Sequence, residues 1–162
     1  MTDLLPTLQE FYRDKLTAVL RHQAAALLVA QYDANNAYQY LINREDTQLG
    51  WVAQAIVRHG GEVPEDQSEP ARPVTGKGID AAAPLLEEDA RDAQAFVDRW
   101  TPRVQALVNA RERGMLEVIL GETLEHKRFF EQARAGRTDL LGRRTASVGA
   151  LVGQVLPTRW LE

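Results

Sequence analysis

The chain has 162 residues, of which 44% are hydrophobic and 26% are charged, and its formal net charge is −4. This length and balance are typical of one globular domain, and the acidic charge argues against a nucleic-acid binder. The absence of cysteine excludes disulfides, zinc–thiolate sites and Fe–S clusters. The sequence shows neither a secretory signal nor an apolar run of membrane length, so we expect a cytoplasmic protein without membrane contact.

Hydrophobic periodicity predicts two helices in the first half of the chain. The first covers about residues 6–31, and the second covers about residues 37–59. The intervening DANN sequence at 33–36 is interpreted as a turn, because aspartate and asparagine favour turns. Two glycines that follow His59 end the second helix.

A change of composition separates the two halves of the chain. Residues 60–84 are rich in proline and glycine, which predicts a long connection. Helices are predicted beyond it, over about 85–113 and about 115–135, with a kink at Pro102. No segment alternates like a strand, so the chain is predicted to be all-α. Connections in the order short, long, short are typical of a four-helix bundle with one long crossover.

Two stretches of the chain resemble a known family. They are EDTQLGWVAQAIVRHGGEVP (45–64) and MLEVILGETLEHKRFFEQ (115–132), and they resemble the ferritin-like superfamily of the bacterioferritin and rubrerythrin type. The resemblance implies a ferritin-like antiparallel four-helix bundle over residues 1–136, with its crossover at about 60–84. A C-terminal extension over 137–162 would pack on the bundle or on a partner.

The family builds a two-metal carboxylate site from single carboxylates and Glu-x-x-His motifs on its four helices. Under the resemblance, the six ligand positions in this chain are Lys15, Glu45, Gln48, Ala93, Thr123 and His126. Glu45 and His126 are the candidate remnant ligands for a metal. Candidate helpers of these two ligands are Gln48, His22 and Asp89. Because most of the ligands are missing, we expect that the di-iron centre is lost and that no cofactor is bound.

Lys15 is positively charged, whereas the family has a negatively charged carboxylate at this ligand position. A buried charge without a partner costs several kcal/mol, so we expect Lys15 to pair with Glu45 in the core and to replace the metal charge. For His126 the alternative to a remnant ligand is a hydrogen-bonded core histidine. A cluster of His22, Glu45 and His126 would either bind one divalent metal or form a polar core network.

Other polar residues are assigned to the surface or to helix ends. Glu122 is expected on the flank of the fourth helix, and the charged run at 111–113 is expected on a solvated face. His59 lies at a helix C-terminus, where a cation complements the helix dipole.

Three functional hypotheses follow. The first is a non-catalytic ferritin-like scaffold for binding or assembly, which forms a homodimer. The second is an iron- or manganese-dependent oxidase or ferroxidase with an unconventional site at Glu45 and His126. The third is a cargo protein that docks to a protein partner through its tail. SVGALVG at 147–153 loosely resembles the C-terminal peptides by which cargo proteins dock inside encapsulin shells.

Overall fold

The computed structural model describes residues 3–65, 79–137 and 140, and within these residues four long helices account for all regular secondary structure. The helices are α1 (Leu4–Leu28), α2 (Tyr32–Arg58), α3 (Ile79–Gln105) and α4 (Ala110–Arg134). The all-α prediction is confirmed for this part of the chain. No helix in these ranges combines the length and the hydropathy that a membrane span requires.

The turn between α1 and α2 comes earlier than the sequence predicts. Residues 33–36 do not form the turn, because they lie inside the start of α2. The Gln31 side chain caps α2 by accepting a hydrogen bond from the backbone N–H of Ala34 at 2.7 Å. Asn35 Nδ2 donates to two carbonyl oxygens at the end of α1. Aspartate and asparagine are favoured at helix starts as well as in turns, and Asp33 also complements the helix dipole.

The break between α3 and α4 also differs from the prediction, since it falls at 106–109 instead of near residue 114. Asn109 caps α4, because its side-chain oxygen accepts a hydrogen bond from the backbone N–H of Glu112 at 3.1 Å. Asparagine followed three residues later by glutamate is a helix-start signal that hydrophobic periodicity does not register. Residues 79–84, which were predicted to belong to the long connection, form the start of α3.

The helices pack most closely as the pairs α1 with α2 and α3 with α4, and α1 also contacts α3 while α2 contacts α4. Two apolar clusters lie at opposite ends of the bundle. One cluster includes Leu8, Phe11, Ile56, Trp100, Leu116 and Ile119. The other includes Ala25, Val29, Tyr38, Leu41, Leu86 and Phe130. Each pair is therefore antiparallel, α1 runs parallel to α4, and α2 runs parallel to α3. The end of α2 and the start of α3 thus lie at opposite ends of the bundle.

Between the two apolar clusters lies a layer of buried polar side chains, which we call the polar layer. Its members are Lys15, His22, Glu45, Gln48, Asp89, Thr123 and His126, and the most exposed of them, His22, is 7% accessible. Buried polar groups destabilise a fold unless they are paired. Packing alone therefore does not explain the composition of this layer, and the polar layer is the candidate functional site.

Candidate functional site

Glu45 is the centre of the polar layer. Its Oε2 lies 2.9 Å from Lys15 Nζ, and its Oε1 lies 2.5 Å from His22 Nδ1. Lys15 and His22 are seven residues apart on α1, so they lie on the same face of that helix. The structure thus brings together Lys15 and Glu45, the pair expected from the sequence, and adds His22 to it.

The charges in this group stabilise one another. Burial alone would raise the pKa of Glu45, but the neighbouring His22 and Lys15 outweigh it and hold this pKa well below its ordinary value. Burial alone would lower the pKa of His22, but the Glu45 carboxylate outweighs it and raises this pKa. Glu45 is therefore ionised at neutral pH, and it lies between the Lys15 ammonium and the His22 ring.

The Gln48 side chain bonds to Glu122 on α4 and not to Glu45. Its Nε2 donates a hydrogen bond to Glu122. Glu122 also accepts from Arg44, whose Nε lies 3.0 and 2.9 Å from the two carboxylate oxygens. The prediction that Glu122 is a surface residue was incomplete, since its half-buried carboxylate links α2 to α4.

The remaining members of the polar layer differ in how far they are satisfied. Asp89 accepts a hydrogen bond from the Tyr38 hydroxyl at 2.5 Å. The Thr123 hydroxyl donates to the backbone carbonyl of Ile119 at 2.8 Å. His126 is 4% exposed, and no hydrogen bond reaches its ring from the part of the chain that the structure describes. Burial lowers the pKa of His126 to about 4, so at neutral pH its ring is uncharged, with one N–H donor and one acceptor.

A cavity of about 170 Å³ lies beside the polar layer and faces the seam between α1 and α3. Its inner wall is formed by Lys15, His22, Glu45, Asp89, Thr123 and His126, and Ala93, Phe96 and Phe130 add apolar surface. Five of the six ligand positions expected from the sequence therefore line one cavity, and Gln48 is the exception.

The donor set does not fit a di-metal centre. Glu45 is the one carboxylate among the six expected positions, and Lys15 and His22 already compensate its charge. Such a centre ordinarily needs four carboxylates to balance two cations. Among the residues that the structure describes, no three histidine, aspartate or glutamate side chains are arranged to hold a metal ion. Glu45 and His126 both line the cavity. His22 is hydrogen-bonded to Glu45, so these three side chains are not arranged around one metal position.

Sequence reasoning missed Glu112. It was assigned to a solvated face, but it is 1% exposed, and its Oε1 lies 2.7 Å from Arg58 and 3.0 Å from His59. This contact ties the C-terminal end of α2 to the first turn of α4, and it gives His59 a partner besides the helix dipole. The available signal was the asparagine three residues earlier, which marks Glu112 as part of a helix start.

The predicted tail lies outside the described residues, apart from Arg137 and Leu140, and so does the SVGALVG sequence at 147–153. Comparison with known proteins adds no relative, since no protein-family model, no curated protein and no solved structure matches the chain. The functional assignment therefore rests on the residues and on their geometry.

Proposed function

We propose that this chain is a ferritin-like bundle that works without a di-metal centre, as a scaffold that binds a small ligand in its central cavity. The observation that carries the proposal is the contact of Glu45 with Lys15 at 2.9 Å and with His22 at 2.5 Å. These groups compensate one another where the resemblance places the metals. The interior consequently needs no metal cation for charge balance.

Two further observations support the ferritin-like part of the proposal. The helix directions, with α1 parallel to α4 and α2 parallel to α3, fit two hairpins joined by one long crossover. The convergence of Lys15, Glu45, Ala93, Thr123 and His126 on one cavity fits the positions that the family uses for ligands. Four-helix bundles commonly build their ligand sites in the core, from side chains on facing helices.

A binding role is favoured over the oxidase hypothesis by the state of Glu45. Metal-dependent oxidation needs a metal ion with an open coordination position, and its ligands must have free lone pairs. Glu45 is engaged by Lys15 and His22 on its two oxygens. On that wall His126 and Asp89 would then remain as donors, and Asp89 already accepts a hydrogen bond from the Tyr38 hydroxyl.

Thermal denaturation tests the metal-free function. Bound metal stabilises the folded state by mass action, by about 2.7 kcal/mol at a hundredfold excess over the dissociation constant. We therefore expect the same Tm with Fe²⁺, with Mn²⁺ and with EDTA. A rise of several degrees with either metal, reversed by EDTA and absent in a Glu45→Gln/His126→Gln variant, would contradict the proposal.

A further inference from the structure

The inner wall of the cavity carries hydrogen-bond donors that the described residues do not use. Lys15 Nζ forms an ion pair with Glu45 Oε2 at 2.9 Å, and this contact engages at most one of its N–H groups. The ammonium has three N–H groups, and it also lies 5.6 Å from the centre of the Phe96 ring. The His126 ring adds a further N–H group, and within the described ranges nothing accepts from it.

Each acidic residue of the same wall already has a partner, although Asp89 Oδ1 accepts no hydrogen bond from the described residues. Glu45 is held by Lys15 and His22, and Asp89 accepts from the Tyr38 hydroxyl. The Thr123 hydroxyl already donates its hydrogen bond to a backbone carbonyl. Two N–H groups of Lys15 and one of His126 thus remain for a ligand that accepts hydrogen bonds, and the lysine favours an acceptor with negative charge.

Size and apolar surface limit the ligand further. The cavity measures about 170 Å³, and a buried apolar cavity of roughly 150 Å³ is large enough to hold benzene. The space thus suits a molecule of about six non-hydrogen atoms. Ala93, Phe96 and Phe130 line the cavity beside the polar wall, so one end of the ligand meets apolar side chains.

We propose that the cavity between α1 and α3 is a binding site for a small organic monocarboxylate, whose carboxylate accepts hydrogen bonds from Lys15 and His126 while its short apolar body packs against Phe96 and Ala93. This inference rests on the proposed metal-free binding function, because a metal at Glu45 would occupy the same space. Butyrate has the required six non-hydrogen atoms and serves as the probe.

The charges at the mouth of the cavity are paired with one another. Arg21 and Arg99 lie at its rim on α1 and α3. Arg21 pairs with Glu88 and Asp92, and Arg99 Nη2 lies 3.0 Å from Asp14. Mixed charges of this kind neither repel a monocarboxylate nor hold it at the surface. Selection therefore takes place at the inner wall.

The test compares three ligands of nearly the same shape by isothermal titration calorimetry on chelator-treated protein. They are butyrate, butyramide and butylamine, which are anionic, neutral and cationic. We expect one butyrate per chain, bound at least about tenfold more tightly than either of the others, since hydrogen bonds to charged groups are about twice as strong as neutral ones. Equal binding of butyrate and butyramide, or no binding of butyrate, would overturn the carboxylate site.

Two variants locate the binding. Ala93→Leu fills the cavity without removing a polar group, and His126→Phe removes one donor while keeping a ring. We expect each to weaken butyrate binding by about tenfold or more. Ala110→Leu is the matched control, because Ala110 is exposed at the start of α4 and lies outside the cavity. Its butyrate affinity should equal that of the wild type.

The outcomes separate the two proposals. If a folded Ala93→Leu variant, checked by circular dichroism, binds butyrate as tightly as the wild type, the site does not lie in this cavity. If that variant does not fold, the comparison of the three ligands on the wild-type protein still decides whether a carboxylate is selected. Stoichiometric uptake of iron or manganese overturns the metal-free function. Loss of selectivity between butyrate and butyramide in metal-free protein overturns only the ligand class.

Discussion

Lys15 Nζ and Glu45 Oε2 lie 2.9 Å apart in the middle of the bundle, and their side chains are 2% and 0% exposed. A buried ion pair is often no more stabilising than a well-packed apolar pair, because both charges lose their hydration. Its two halves are nevertheless dependent on each other, since either charge alone would be strongly unfavourable in the core. The charge of Glu45 is therefore balanced by a side chain of the same protein and needs no bound cation.

Removing the lysine charge should destabilise the fold. Lys15→Met leaves Glu45 with His22 as its remaining counter-ion, and breaking a buried pair costs about 3–5 kcal/mol. Because His22 remains, we expect a loss near the lower end, about 3 kcal/mol, in the free energy of unfolding measured with urea.

The matched control for this variant is the double substitution Lys15→Met/Glu45→Gln. It removes both charges and keeps an oxygen that can accept from His22, so its loss should be smaller, about 1 kcal/mol. A single variant that loses no more stability than the double variant would show that Glu45 does not depend on the lysine charge.

The pH dependence of stability should reflect His126 and His22 in opposite directions. Burial lowers the pKa of His126 from 6.5 to about 4, so between these values the unfolded state binds more protons than the native state. Stability should therefore rise with pH from about 5 to 6.5, by up to about 1.4 kcal/mol per pH unit from this one group. The pKa of His22 is raised above 6.5, so its contribution is complete below pH 6.5 and is lost as pH rises through the raised value.

Urea denaturation between pH 5 and 9 tests this dependence, and we expect maximal stability near pH 6.5. Glu45 does not disturb this window, since its pKa is lowered from 4.5 and its contribution disappears only below about that pH. His126→Gln should flatten the acid side of the curve, and His22→Gln should flatten the alkaline side. An unchanged acid slope in His126→Gln would contradict the assignment.

Glu112 should contribute to stability although it lies far from the cavity. Glu112→Ala removes a buried carboxylate that Arg58 and His59 contact at 2.7 and 3.0 Å. Hydrogen bonds to charged groups contribute about 1.5–3 kcal/mol, so we expect a loss of about 2 kcal/mol in urea denaturation. Glu117→Ala, at an exposed position of the same helix, should change stability by less than about 0.5 kcal/mol. Equal effects of the two substitutions would show that the buried contact is not formed.

The ferritin-like register can be tested by restoring the expected ligands. The four substitutions are Lys15→Glu, Gln48→His, Ala93→Glu and Thr123→Glu, and together with Glu45 and His126 they complete the family pattern. We expect this variant to bind about two metal ions per chain and to be unstable without them, because buried carboxylates need a counter-charge. Metal content and Tm with added Fe²⁺ are the readouts.

A further His126→Ala change in the restored variant is the control, and it should reduce metal uptake. If the restored variant folds but takes up no metal, the six positions do not converge as the resemblance implies. That outcome would contradict the ferritin-like register while leaving the four-helix bundle unaffected.

Much of the fold could be predicted from the sequence, because an apolar stripe at helical spacing is a strong local signal. The resemblance placed Lys15, Glu45 and His126 at ligand positions in the core, and all three are buried. The helix ends were predicted poorly. They depend on single capping side chains such as Gln31 and Asn109, which periodicity does not weigh.

The cavity and the partners within the polar layer could not be predicted. Whether Gln48 turns towards Glu45 or towards Glu122 depends on the relative rotation of α2 and α4, which no local pattern specifies. The space beside Ala93 likewise depends on how closely α1 approaches α3. The burial of Glu112 depends on where α2 ends, because Arg58 and His59 at that end contact it.

The most direct test of the metal-free interior is elemental mass spectrometry of the protein, purified without chelator or histidine tag after growth with added iron and manganese. The Lys15–Glu45–His22 network predicts less than about 0.1 metal ion per chain, since the charge of Glu45 is already compensated. One or two metal ions per chain, lost on His126→Ala substitution, would contradict it and would make Glu45 and His126 ligands of a working metal site.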